Sequence, residues 1–585
     1  MEFIHEGVLS KRNINSDGQR FFIWLWKEQL HPLTIDTYRV RAMNSKSILK
    51  ELYEVIEQVA NGVWNSNNIK LVASEARELI LCDKILKNKN YFGGLLNLIS
   101  ELVTSDKDFI KAKPILKGII FDLENNYLNN CLDSLDKAIK SDSIECIEFF
   151  TKSIATELIN QGYSKNYLLE LCNEVFLNSD VRTFNCYFKE FVQNISLTKN
   201  NFTVTLKLNL GKENIPAKIL DFSFYSEKDL KKDDVADIVK FFTGPEPKLF
   251  AQTTLEALDA NSAALITKAR FGYVLDLLYY GYQYKSRFNL YEKCLVQKDK
   301  EYCFCNSTTS LEGFHIDSLK WLQIVEKQLK IILESEKISI STKEKVKGAL
   351  RYFRLCKESI NIEHQFLNLW IAIEQLVRTG EKHKSIIEPI ITFVPKIISL
   401  QHISRLIKNV QEDFKRCRVS IPGEYRISFN NKNKEKFIAL IRDEKQFAEI
   451  LKIKDINPLL RNRLQKLQII LSTSEEIRKV VNKNHNDIDL HLARMYRIRN
   501  KIVHNAAHDL SVSGITTNLV FYVTQVINTI LYELTSCEFH SDIWDIFIKN
   551  KFTFEQLDIL LKKDRDNQIP LEFIIAPLKY LNPMQ

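Results

Sequence analysis

The apolar positions of the chain fall into two periods. From the start to about residue 195 they recur every three or four positions. Leu49, Leu52, Val55, Ile56 and Val59 make one such stripe, and Leu132, Leu135 and Ile139 another. Side chains at that spacing share one face of a helix, so residues 1–195 are expected to form a helical region. Ser141-Asp142-Ser143 and Asn178-Ser179-Asp180 bring the short polar side chains that close one helix and open the next. No segment repeats at a fixed period.

The period then drops to two. Phe202, Val204, Leu206, Leu208 and Leu210 alternate with polar neighbours, and the alternation resumes at Leu220, Phe222 and Phe224 after Gly211-Lys212-Glu213-Asn214. This reads as a β-hairpin. A second strand pair is expected at Leu290 to Val296 and Glu301 to Cys305, with Asp299-Lys300 as its turn. Stretches 231–242 and 252–283 read as helical, and Thr243-Gly244-Pro245-Glu246-Pro247 as a turn. Residues 196–310 are thus expected to form an α+β middle region.

From about 311 the helical period returns. Phe366, Leu369, Trp370, Ile373, Leu376 and Val377 form one apolar stripe, and Leu519, Val523, Val526, Ile527, Ile530 and Leu534 another. A third helix lies between them, expected to open near Asp487 or Asp489 with an N-cap residue. Long amphipathic helices in this order predict a bundle over 311–540, followed by a helical extension at 541–585. The fold class expected is therefore mainly α.

Composition supports this. Only 16 Gly and 12 Pro occur in 585 residues, and a 45% apolar fraction suffices for large cores. The net charge of +9 permits anionic partners without requiring them. The first residues show no basic leader followed by an apolar run, and no uninterrupted apolar stretch has the length of a membrane span, so a cytoplasmic protein is expected. The eleven cysteines are scattered. Cys303 and Cys305 are close, but no second pair completes a zinc site, and both read as buried small residues on a strand.

Chemistry concentrates in Tyr496-Arg497-Ile498-Arg499-Asn500-Lys501-Ile502-Val503-His504. Imidazole moves protons near neutral pH. A guanidinium holds phosphate and stabilises the charge that builds on it. An amide side chain can orient either. RNA carries its own nucleophile, the 2′-hydroxyl, so these groups can cleave it without a metal or cofactor. On an ideal helix Arg497, Asn500, Lys501 and His504 share a face, whereas Arg499 lies about 140° from His504. Convergence of Arg499 and His504 therefore favours a groove between two such helices, and two-fold dimers are the commonest assembly. Between Arg461 and His504 stand ten Lys or Arg against four Asp or Glu, a charge balance that suits a phosphate backbone.

Each of these signals has a plainer explanation. His504 can be a capping or partly buried histidine near a helix end, where the dipole favours positive charge. Arg497 and Lys501 can be a solvated face. His508 reads as a loop or cap residue, and Glu374, alone on the Trp370 helix, reads more simply as structural.

Arg499-Asn500-x-x-x-His504 resembles the motif of HEPN domains, in which His follows Arg after four to six residues and Asn commonly stands next to the Arg. The tract Phe366-Leu367-Asn368-Leu369-Trp370-Ile371-Ala372-Ile373-Glu374-Gln375-Leu376 is similar to the preceding helix of the ApeA-like branch, as is the continuation from Ile386 to Ile398 through Val394-Pro395-Lys396. The similarity covers roughly 340–540. It implies a helical, metal-independent endoribonuclease, a homodimer or higher even oligomer, with a composite site from two motifs. Arg499 and His504 would be the catalytic pair, Asn500 their polar support and Glu374 a further supporting residue; Arg497 and Lys501 are expected to support the site from helix geometry alone, on the face of His504. Family members act as toxins or anti-phage effectors on tRNA or other RNA; by analogy with such systems a phage-derived trigger is expected, with the region before 310 sensing it or holding the nuclease off, 196–310 in a sensing or regulatory role. The alternative is a non-catalytic scaffold that dimerises and binds RNA or a nucleotide.

Overall fold

The computed structural model describes residues 6–30, 43–104, 109–178, 180–209, 215–226, 236–242, 248–281, 289–306, 319–359, 361–378, 385–430, 433–453, 456–505, 512–536, 542–564 and 569–577. The chain is mainly helical, with one small antiparallel sheet in its middle.

The N-terminal region is built on α1 (Asp17–Leu30), α2 (Ser45–Ala60), α3 (Asn67–Cys82), α4 (Phe109–Lys140) and α5 (Ile144–Gln161). The stripe Leu49, Leu52, Val55 and Ile56 is buried in its core, as the spacing predicts. Asn44 starts α2 with a capping box, its side chain accepting from the Ser47 amide at 2.9 Å. Phe22 and Trp26 of α1 sit among Phe176, Phe188 and Phe191 in mostly edge-to-face contacts. Asp142, in the left-handed region, ends α4 and accepts from the Gly18 amide at 2.7 Å. Helical structure extends through 174–178, while Ser179 lies outside the described residues.

The middle sheet contains β1 (Asn200–Asn209), β2 (Lys218–Ile219), β3 (Phe222–Ser226), β4 (Lys248–Ala257), β5 (Asn289–Leu290), β6 (Lys293–Lys298) and β7 (Glu301–Asn306). Its order is β2-β3-β4-β1-β6-β7, with β5 also paired to β1. Two expectations are corrected here. β1 and β3 are strands but not a hairpin, because β4 lies between them and pairs with both. Residues 252–257 belong to that strand rather than to a helix, and α6 starts only at Ala260 (Ala260–Gly281). The β6–β7 hairpin turns at Asp299-Lys300 as expected, with Asp299 in the left-handed region. Cys305 is buried, but Cys303 on the edge strand β7 is exposed, contrary to the sequence reading. Thr243 to Pro247 lie outside the described residues.

The C-terminal region holds two cores. The first gathers α7 (Ile340–Glu358), α8 (Ile362–Val377), α9 (Ile387–Leu400) and α13 (Val512–Ser536). The second gathers α10 (His402–Arg416), the short helices at 434–442 and 444–451, and α11 (Pro458–Ser472). The helices α12 (Ser474–Asn505) and α14 (Ile543–Lys563) run through both. α12 gives Ile477 and Val481 to the second core and Ile488, Leu492, Met495 and Ile498 to the first. α14 gives Ile546 and Phe547 to the first and Leu557 and Leu561 to the second. The motif helix therefore opens at Ser474, not near Asp487 or Asp489, which lie mid-helix. Among the described residues no single helix is long and apolar enough to cross a membrane.

Candidate functional site

The motif lies in the last turns of α12. Its apolar side is fixed by Met495 and Ile498, both buried, and by Tyr496, whose ring lies 5.8 Å from that of Trp370 on α8. His491, one turn before Met495, is buried and shares a 2.9 Å hydrogen bond with the Tyr522 hydroxyl of α13. These contacts set the rotation of α12 and hence the direction of each polar residue on it.

The cationic residues divide by face. Arg494, Arg497 and Lys501 are spaced three and four apart, which lines them up along one side. That side meets the N-terminal region. Arg494 donates to Glu51 and to Glu75, each at 2.7 Å, and Arg497 donates to the other oxygen of Glu51 at 2.5 Å. Lys501 reaches Glu54 at 3.0 Å, with its ammonium 5.7 Å from the Trp64 ring centre. Arg494 and Arg497 are each only 5% exposed. Burial alone would push the Glu51 carboxyl up, but the two guanidinium groups outweigh it and hold it down to about 2. Arg497 and Lys501, expected beside a substrate or on a solvated face, are thus committed to carboxylates of the same chain.

Arg499 stands about 200° around the helix from Arg497. It is half-buried, and its described partner is the amide oxygen of Asn500, which accepts from Nη1 at 3.2 Å. No carboxylate pairs with it among the described residues. Asn500 therefore supports the arginine directly. His504 is the next-to-last residue of α12, seven positions past Arg497, so its register continues the line of Arg494, Arg497 and Lys501. Its imidazole and all of His508 lie outside the described residues. Glu374 is half-buried on α8, one turn past Trp370, and its carbonyl accepts from the Arg378 amide at 2.9 Å. Among the described residues no side chain pairs with its carboxylate, and no three His, Cys, Asp or Glu converge as metal ligands would.

Arg494 and the carboxylates that hold it are absent from the sequence-derived site. The spacing of 494, 497 and 501 is visible in the chain, but the partners sit more than 400 positions away. Comparison with protein-family models, curated proteins and solved structures finds no match.

Proposed function

We propose that the chain is a metal-independent HEPN-type endoribonuclease, acting in the cytoplasm as a toxin or anti-phage effector on tRNA or similar RNA. The observation that carries this reading is the contrast along α12. Three cations are neutralised by carboxylates, while Arg499 keeps its charge beside a neutral amide. A guanidinium steadied by an amide and left uncompensated suits the phosphorane-like charge of RNA cleavage. His504 takes the proton from the 2′-hydroxyl as the O2′–P bond forms. The P–O5′ bond breaks, and His504 of a second copy gives a proton to the departing 5′-oxygen. The products are a 2′,3′-cyclic phosphate and a 5′-hydroxyl.

The test is incubation of the purified chain with total tRNA in EDTA, beside Arg499→Ala and His504→Ala. Fragments ending in cyclic phosphate are expected, with a loss of about 100- to 1,000-fold in each variant. Undiminished cleavage by both variants overturns the assignment. A shifted but intact tRNA band favours the binding scaffold.

A further inference from the structure

Eight described ion pairs join the N-terminal region to the C-terminal one, and all have the same polarity. Asp17 pairs with Arg461, Glu28 with Arg463 and Arg416, and Glu148 with Lys466. Glu51 pairs with Arg494 and Arg497, Glu75 with Arg494, and Glu54 with Lys501. Every acid comes from the N-terminal side and every base from the C-terminal side. The N-terminal helices carry many lysines of their own, Lys113 and Lys137 among them, but none enters a described pair of this kind. Of the ten cations between Arg461 and His504, six are taken up by six N-terminal carboxylates.

These pairs make poor fastenings. Arg494 and Arg497 are buried, yet each leaves Nη1 with no hydrogen-bond partner among the described residues. An unmade hydrogen bond on a buried charged group opposes association, and a buried ion pair at best roughly breaks even against an apolar contact. Apolar pairs would hold the two regions more firmly. A one-signed row of carboxylates on a one-signed row of cations does suit a surface whose second occupant is a polyanion. A groove of about 570 Å³ opens beside Glu148 and Lys466, between Ile144 of α5 and Ile469 of α11.

We propose that the acidic face of α1, α2, α3 and α5 stands in for an RNA backbone on the cationic row of α11 and α12, and that RNA displaces it. What the row serves rests on reading α12 as an RNA-cleaving helix; the exchange itself does not. The row that α2 covers runs as far as Lys501, three positions before His504, so opening exposes a phosphate track that leads to the motif.

The test uses the full chain in a His504→Ala background, so that binding is read without cleavage. A labelled single-stranded RNA is titrated at several salt concentrations. Glu51→Gln/Glu54→Gln/Glu75→Gln should bind at least tenfold tighter than its parent at low salt. With three cations freed, the slope of log affinity against log salt should steepen by about 2. A matched control, Asp136→Asn/Glu344→Gln/Glu358→Gln, removes as much negative charge from exposed intrahelical pairs and should change neither quantity. If the triple variant does not fold, Asp17→Asn/Glu54→Gln decides on the same readout, because both carboxylates are more than half exposed. Binding no tighter than the control, or an unchanged salt slope, overturns the proposal even if the wild type cleaves RNA. Tighter binding without cleavage once His504 is restored leaves the exchange standing and removes the nuclease assignment.

Discussion

The Nη1 of Arg499 donates to the side-chain oxygen of Asn500, its immediate neighbour, at 3.2 Å. The acceptor is neutral, so the guanidinium is steadied without being discharged. Asn500→Asp keeps the acceptor and adds a negative charge. Under the nuclease reading it should lower single-turnover cleavage by about 100-fold, with thermal unfolding unchanged, because the charge offered to the phosphate is cancelled in advance. Asn500→Ala should fall less. If the Asn500→Asp variant cleaves as fast as wild type, Arg499 loses the clamp role.

Acid should loosen the contact between the two regions. The Glu51 carboxyl is held down to about 2, whereas an unfolded glutamate titrates near 4.3. Its folded value lies below its unfolded one, so its contribution is full above about pH 4.3 and drains away as pH falls toward 2. On the order of 2–3 kcal/mol is at stake. The protection factors of the amide hydrogens over residues 45–82, taken against the intrinsic rate at each pH, should fall across that window, and Glu51→Gln should remove most of that pH dependence.

Asp489 works in the opposite sense. Burial pushes its carboxyl up to about 6, and its Oδ1 has no described partner. The folded value stands above the unfolded one, near 3.9, so the folded state holds the proton more tightly. Stability from this group falls as pH rises from about 4 to 6 and stays low above. Asp489→Asn should stabilise the chain at pH 7 by about 1–2 kcal/mol, after allowance for partial solvent contact. The gain should vanish near pH 4 in parallel denaturant titrations.

The thiols of the sheet should react unequally. Cys303 is exposed, and the hydrogen bond its thiol shares with that of Cys305, 3.7 Å away, holds its pKa below the usual thiol value, which favours the thiolate. The Cys305 bond to Cys303 and burial push Cys305 up, and burial pushes Cys294 up to about 12. Peptide mapping after brief iodoacetamide treatment at pH 7 should find Cys303 alkylated and Cys294 and Cys305 protected. Cys305→Ser should change the rate at Cys303, since it replaces the thiol that shares this hydrogen bond.

What the sequence made legible was whatever depends on near neighbours. The Leu49 to Ile56 stripe, the Trp370 stripe and the turn at Asp299 all follow from local spacing and local backbone preference. Strand pairing did not. β4 wedges between β1 and β3 through a segment, Gln252-Thr253-Thr254, whose polar residues conceal its alternation. The start of α12 is not legible in the chain, because aspartates usually open helices, whereas Asp489 is tolerated mid-helix with its carboxyl driven toward the neutral form. The basic stretch around Arg497 was legible as charge, but its engagement by Glu51 and Glu54 arises only when the chain folds back on itself.

α12 runs 32 residues from Ser474 to Asn505 without a glycine or proline. It is therefore a stiff rod of about 48 Å, with no hinge at which motion could be absorbed. Its foot is tied by Arg478 to Asp558 on α14, and its far end carries the motif. Any rotation that keeps its hydrogen bonds would turn Arg494, Arg497 and Arg499 together, so the paired face and the unpaired one cannot be re-aimed separately.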